Sequence, residues 1–285
     1  MLSRRSYLIL SSLFGTAIWS SRLASAQQVS DNIADQLREI AEDPSFAELN
    51  NSSKEEGFRQ IGPSAADLRG NADLPHRWVS DKLISPDAIS LIVAFEITSA
   101  AHYSRALSRP TWPQGRSGVT IGIGYDLGYA SAGDIKEDWL SIVDASTVAR
   151  LLSVQGIKGP GASDAARGIQ DVEIVWDAAY RNFVQALRYY AGETIHYFPN
   201  TDQLSPDSFG ALVSLVYNRG SATAPVLDDP IDRRLEMREI KQLCLARQFD
   251  KVPDEIRKMK RLWQNGLVRR RELEALLFER GLRST

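Results

Sequence analysis

Cysteine occurs once in these 285 residues, as Cys244, and histidine only three times, at His76, His102 and His196. A single thiol excludes an internal disulfide, and within "EIKQLCLARQF" it reads as a small buried hydrophobe, not a nucleophile. The scattered histidines form no pair at ligand spacing, so no metal and no cofactor are expected. A serine hydrolase would need a Gly-x-Ser-x-Gly elbow, which is missing. "GIGYDLG" is spaced G-x-G-x-x-x-G and no strand-helix-strand unit with an acidic ribose contact surrounds it, which argues against a dinucleotide loop.

Strong net charge is absent as well. The formal total is −2; residues 1–26 carry three arginines and no acid, so the remainder is −5. Residues 233–285 hold 15 basic and 8 acidic side chains, a balance of +7, which leaves −12 for 27–232. Solvated helix faces account for such asymmetry, and without interleaved aromatic and basic residues no nucleic-acid partner is expected.

Apolar runs are short. The one near the start, Leu8 to Trp19, follows Arg4 and Arg5 and leads to Ala24-Ser25-Ala26, the layout of a signal peptide over residues 1–26. It is too short to span a bilayer. "SRRSYLI" has the paired arginines of a twin-arginine signal, so a periplasmic or secreted protein is expected, with no stable membrane insertion after the signal is removed. Residues 27–84 are polar and broken by proline and glycine, and read as an extension. Residues 85–285 read as one domain.

What is present is mostly helical pattern. "SPDAISLIVAFEITSAAHYSRAL" opens with a capping Ser85, Pro86 at the first helical position and Asp87 at the positive helix start. The same "SPD" recurs at Ser205 to Asp207 before an amphipathic run that Gly220 would close. Between them come a hairpin-like stretch, a helix around Lys136 to Leu152, a glycine-rich loop "QGIKGPGAS" and a long helix around Val172 to Tyr190. Two or three helices are expected over Ile231 to Gly281. The fold class expected is therefore α+β, mostly α, with one small antiparallel sheet or hairpin and a helical C-terminal lobe.

Two features point to chemistry. Ile89, Ile92 and Val93 are followed at the next helical step by Glu96, a carboxylate on the buried stripe, where partial desolvation suits a general acid. In "SGVTIGIGYDLGY" alternate positions sort into apolar Val119, Ile121, Ile123, Tyr125 and Leu127, and a nearly bare face with Thr120, Asp126 and glycines. Gly122 and Gly124 permit the bend that would bring Thr120 and Asp126 to one reacting atom, and a bare face would let a substrate lie close to the backbone. An acid facing a hydroxyl and a carboxylate is equipment for hydrolysing a glycosidic bond through a positioned water.

"AFEI", "GVTIGIGYDLG", "GALVSLVYNRG" and "LWQNGLVRRRELEALLF" occur in the order seen in phage-type lysozymes, and the block ending in "GYDLG" resembles their pesticin-like relatives most. The matched blocks spread from Ser85 to the C-terminus. The resemblance implies a lysozyme-like α+β fold and cleavage of the β-1,4 bond between N-acetylmuramic acid and N-acetylglucosamine, with peptidoglycan glycan strands as the partner. It makes Glu96 the proton donor and Thr120 the residue that orients water. The commoner phage pattern places an aspartate shortly before the threonine, where this chain has Gln114; the pesticin-like pattern puts it after, on Asp126. It also implies that Arg270, four residues after Gly266, pairs with Glu96. Tyr125, Asn218 and Arg270 are candidate substrate-binding residues, and Trp112 and Trp263 candidates for stacking on sugars. A threonine-held water opposite the acid suits inversion. The alternatives are an inert lysozyme-like module that binds peptidoglycan, and a lytic transglycosylase, which needs no water-activating carboxylate. Nothing in the sequence sets an oligomeric state.

Overall fold

The computed structural model describes residues 33, 35–40, 78–97, 99–115, 117–224, 229–263 and 266–284. The leader, residues 1–26, and most of 27–84 lie outside the described residues. The elements in chain order are α1 (Pro86–Ile97), α2 (Ala100–Ala106), β1 (Thr120–Ile121), β2 (Tyr125–Asp126), α3 (Ala132–Trp139), α4 (Ala145–Leu152) and α5 (Gly161–Gly168). They are followed by α6 (Trp176–Tyr197), α7 (Pro206–Arg219), α8 (Leu235–Leu245), α9 (Val252–Lys258) and α10 (Gly266–Arg283), with short 3₁₀ turns in the connections. The class is α+β and mostly α, with one two-stranded antiparallel sheet.

The two Ser-Pro-Asp starts behave alike. Ser85 accepts a hydrogen bond from the Ala88 N–H at 3.2 Å, and Ser205 accepts one from Ser208 at 3.4 Å, each satisfying a donor that the first turn leaves without a helical partner. Both aspartates then meet one cation: Arg280 of α10 lies 2.7 Å from Asp87 and 2.7 Å from Asp207. That shared partner locks α1, α7 and α10 together at one end. Helix α7 is buried without interruption from Ser208 to Tyr217, as a helix hydrophobic all round should be, and forms the axis of the core. Gly220, at φ 70°, closes it.

Several boundaries differ from the sequence expectations, and at Ser99 and Asp144 a cap accounts for the difference. The run 136–152 is two helices, because Asp144 accepts from the Thr147 N–H at 2.8 Å and starts α4 afresh. Ser99 does the same for α2, accepting from His102 at 3.1 Å, so α1 ends at Ile97. The end of the glycine-rich loop, Gly161 to Ser163, becomes the first turn of α5, and the long helix is displaced toward the C-terminus, running to Tyr197. Cys244 is buried, and burial pushes its thiol up to about 12.

The described parts of 27–84 pack on the body. Residues 33 and 35–40 are helical, Ile33, Leu37 and Ile40 enter the hydrophobic core, and Glu39 pairs with Arg269 of α10 at 2.6 Å. Further on, the Ser80 N–H donates to the Arg188 carbonyl at 3.0 Å and Trp78 stacks on His196, both on α6.

Candidate functional site

The stretch 117–129 forms a tight hairpin. Thr120 pairs with Asp126 and Ile121 with Tyr125, and the reversal is made by Gly122 and Gly124 at φ 56° and 73°, a region that side chains with a Cβ avoid. The expected bend is thus a complete turn, and it sets Thr120 directly opposite Asp126. Val119, Ile121, Ile123, Tyr125 and Leu127 are all buried, as their parity requires.

The other face differs from the open platform expected of it. A Cβ on Gly128 would sit 2.7 Å from the Gly118 Cα, so these two glycines serve backbone-to-backbone packing. Gly122 lies under Trp139 and Ala179. In that parity set, only Gly124 is exposed and Thr120 half-buried. Asp126 is 7% exposed, and its carboxylate accepts from the Gly118 N–H at 3.1 and 3.0 Å and from the Gly128 N–H at 2.8 Å. Three of about four lone-pair directions of a carboxylate are therefore committed to the backbone.

Glu96 sits in the last turn of α1 with its side chain 16% exposed, and Arg270 Nη1 donates to its Oε1 at 3.1 Å. Arg270 is 1% exposed and is held on its other edges: Nε donates to Glu274 at 3.1 Å, and Nη2 to the Ser214 carbonyl and hydroxyl at 3.2 Å each. The neighbouring Arg271 donates from Nη2 to Asn218 at 2.9 Å and to Glu274 at 3.2 Å. Its Nε lies 3.0 Å from the second Glu274 oxygen, an ion-pair contact in which the N–H is not aimed at the oxygen. Burial pushes Arg271 down to about 10; Glu274 opposes that shift and Arg270 adds to it.

Helix α7 connects the two halves. Ser214 touches Arg270, while the Tyr217 hydroxyl stands 3.6 Å from where a Cβ on Gly124 would be. Positions three apart are neighbours on a helix surface, so the Glu96–Arg270 pair and the hairpin turn lie along adjoining faces of α7.

Two of the candidate substrate-binding residues are enclosed by protein. Tyr125 is 2% exposed, its hydroxyl donates to Asp138 at 2.8 Å and its ring meets the edge of Trp139, so it belongs to the core and presents no face to a sugar. Arg270 is enclosed by protein and donates to Glu96. Asn218 stays half-buried on Arg271. Trp112 donates to the Ser117 carbonyl at 3.1 Å, and Trp263 carries the guanidiniums of Arg219 and Arg271 at 4.8 and 5.7 Å from its ring centre.

The sequence reading missed Glu274, although its spacing, four residues after Arg270 and three after Arg271, was visible on a helical wheel. It also missed Glu193, half-buried and hydrogen-bonded to Ser221, whose carboxyl burial raises and that bond partly lowers. Among the described residues no group of three or more metal-binding side chains converges, and no helix is long and apolar enough to cross a membrane.

Compared with known families, residues 94–205 match the family model for a domain of unknown function (DUF8812). That span opens just before Glu96, contains the hairpin and stops at the start of α7. No curated protein matches the chain.

Proposed function

We propose that this chain is an exported muramidase of the phage-type lysozyme kind, hydrolysing the β-1,4 bond between N-acetylmuramic acid and N-acetylglucosamine without a metal or cofactor. The observation that carries the reading is the pair of pairs about α7: Glu96 on buried Arg270, and Thr120 opposite Asp126. In this scheme Glu96 protonates the leaving glycosidic oxygen, Thr120 orients the attacking water, and Asp126 supplies negative charge beside them. A proton donor must be neutral when the bond breaks. Inversion is the expected outcome, since a water must fit between the groups.

A second reading is favoured by one observation. The Asp126 carboxylate is committed to Gly118 and Gly128, so it serves the hairpin's shape whether or not it takes part in chemistry. A lytic transglycosylase needs one acid and no base, and would leave Asp126 in that structural role.

Digestion of purified sacculi with the protein lacking residues 1–26, followed by product analysis, separates the readings. New reducing muramic ends are expected; anhydro ends would move the assignment to transglycosylation, and binding without release would leave an inert peptidoglycan-binding module. Glu96→Gln should abolish release of either product. Fractionation of cells expressing the full chain, with and without Arg4→Lys and Arg5→Lys, tests the twin-arginine route to the periplasm or medium.

A further inference from the structure

Glu274 is 0% exposed and lies between two arginines that point in different directions. Its Oε1 receives the Arg270 Nε at 3.1 Å, the Arg271 Nη2 at 3.2 Å and the Ser214 hydroxyl at 2.6 Å. Arg270 continues to Glu96 and Arg271 continues to Asn218. One buried carboxylate thus anchors both arms. A guanidinium is a rigid planar fork, so fixing its Nε edge fixes where its outer nitrogens can reach. A buried anion between two buried cations also supplies compensation that Glu96, at the far end of Arg270, supplies only in part.

We propose that Glu274 is a positioning residue for the reaction: it sets Arg270 against Glu96 and Arg271 against Asn218, so that acid and sugar-facing amide are aligned by one buried charge. This rests on the muramidase reading. Glu274 touches no reacting atom, and its influence passes through the two guanidiniums. Two consequences follow that a general loss of stability would not produce. Loss of the charge should lower kcat through the Arg270 arm and raise KM through the Arg271 arm, and the lesion should overlap with that of Arg270.

The test compares Glu274→Gln, Glu274→Asp and Ser214→Ala with Glu272→Gln. Glu272 is another α10 carboxylate, paired with Arg257 and Lys260 away from the site, so its loss controls for broken helix ion pairs. Kinetics on solubilised glycan strands should show kcat lower by about 10-fold or more for Glu274→Gln, partial recovery in Glu274→Asp, a smaller loss in Ser214→Ala and none in Glu272→Gln. In the Glu274→Gln, Arg270→Gln double variant the loss should not exceed that of Arg270→Gln alone by more than about twofold. Wild-type kcat and KM in a folded Glu274→Gln variant, or fully additive losses in the double variant, would overturn the proposal. A readout that does not depend on turnover is the side-chain Nε–H resonance of Arg270, which donates to Glu274, assigned by substitution. It should be protected from exchange in the wild type and in Glu272→Gln and exposed in Glu274→Gln; protection that persists in Glu274→Gln also overturns the proposal. A wild-type protein that releases nothing from sacculi fails the muramidase reading instead, while the exchange data still decide whether Glu274 holds Arg270.

Discussion

The Gly118 N–H donates to both carboxylate oxygens of Asp126, eight residues ahead of it, and Gly128 donates to one of the same oxygens from the other side. Asp126 is therefore the staple of its own hairpin. Hydrogen bonds to an ionised acceptor contribute about 1.5–3 kcal/mol each, more than neutral ones. Asp126→Asn keeps the shape but loses the charge and turns a donor toward donors. Expected is a fall in stability of about 2–4 kcal/mol by urea denaturation. Activity measured well below both melting temperatures then separates roles: a loss greater than about 100-fold assigns chemistry to the carboxylate, and a loss under about 3-fold leaves it as a staple.

Glu193 offers a pH test with a definite sign. Burial raises its carboxyl above the ordinary value, and the Ser221 hydroxyl partly reverses this. A carboxyl raised in the fold favours the native state while it is protonated. Its contribution is complete below the unfolded value and is lost as pH climbs through the folded one. Gln mimics the protonated form at every pH. Glu193→Gln should match the wild type in melting temperature near pH 4 and exceed it near pH 8. Parallel curves, with a constant offset, would falsify the assignment.

How much of this was legible from residues alone depends on the range of the interaction. The Ser-Pro-Asp starts, Gly220 as a stop and the alternation through Val119 to Leu127 are local, and each appears where the pattern placed it. The break at Asp144 was equally local and was overlooked, because apolar periodicity runs through it while the cap does not. By contrast, the meeting of Asp87 and Asp207 on Arg280 joins residues distant in sequence and has no local signature. The glycines of the hairpin show why composition alone misleads: small residues are equally compatible with a ligand against the backbone and with another backbone there, and Gly118 against Gly128 is the second case. Glu274 was hidden for a different reason. A carboxylate among arginines on a helix usually lies in water, and only the packing of α10 on α7 turns this one inward.

Arg219 is a buried cation with little compensation among the described residues. Desolvation, then repulsion from Arg271 and Arg234, pushes it well down from its ordinary range, with Glu236 and Glu274 only partly opposing. Among the described residues its Nε and Nη1 have no hydrogen-bond partner, and Nη2 donates to the Arg233 carbonyl. A buried cation with little compensation carries a desolvation penalty that an apolar side chain of similar volume does not. Arg219→Met is therefore expected to raise the urea midpoint or leave it unchanged. A loss above about 2 kcal/mol would mean that the Trp263 contact or the carbonyl bond outweighs the desolvation.

Glu96 and Arg270 should be unequal when each is removed. Arg270 is enclosed and touches Glu96, Glu274 and Ser214, so Arg270→Gln leaves Glu274 beside Glu96 with one cation fewer between them. Removing one partner of a buried pair costs about 3–5 kcal/mol, because the charge left behind has neither water nor counterion. Glu96 is partly exposed, and after Glu96→Gln the guanidinium retains Glu274 and both Ser214 oxygens. That change should cost about 1 kcal/mol or less. On the proposed mechanism the order in activity is reversed, since Glu96→Gln would remove the proton donor outright while Arg270→Gln would leave a misplaced one. Urea denaturation and glycan hydrolysis on the same two preparations check both orders. If Glu96→Gln proved the more destabilising of the two, Glu96 would be acting as a structural counterion for Arg270, and the case for it as the acid would lose its physical basis.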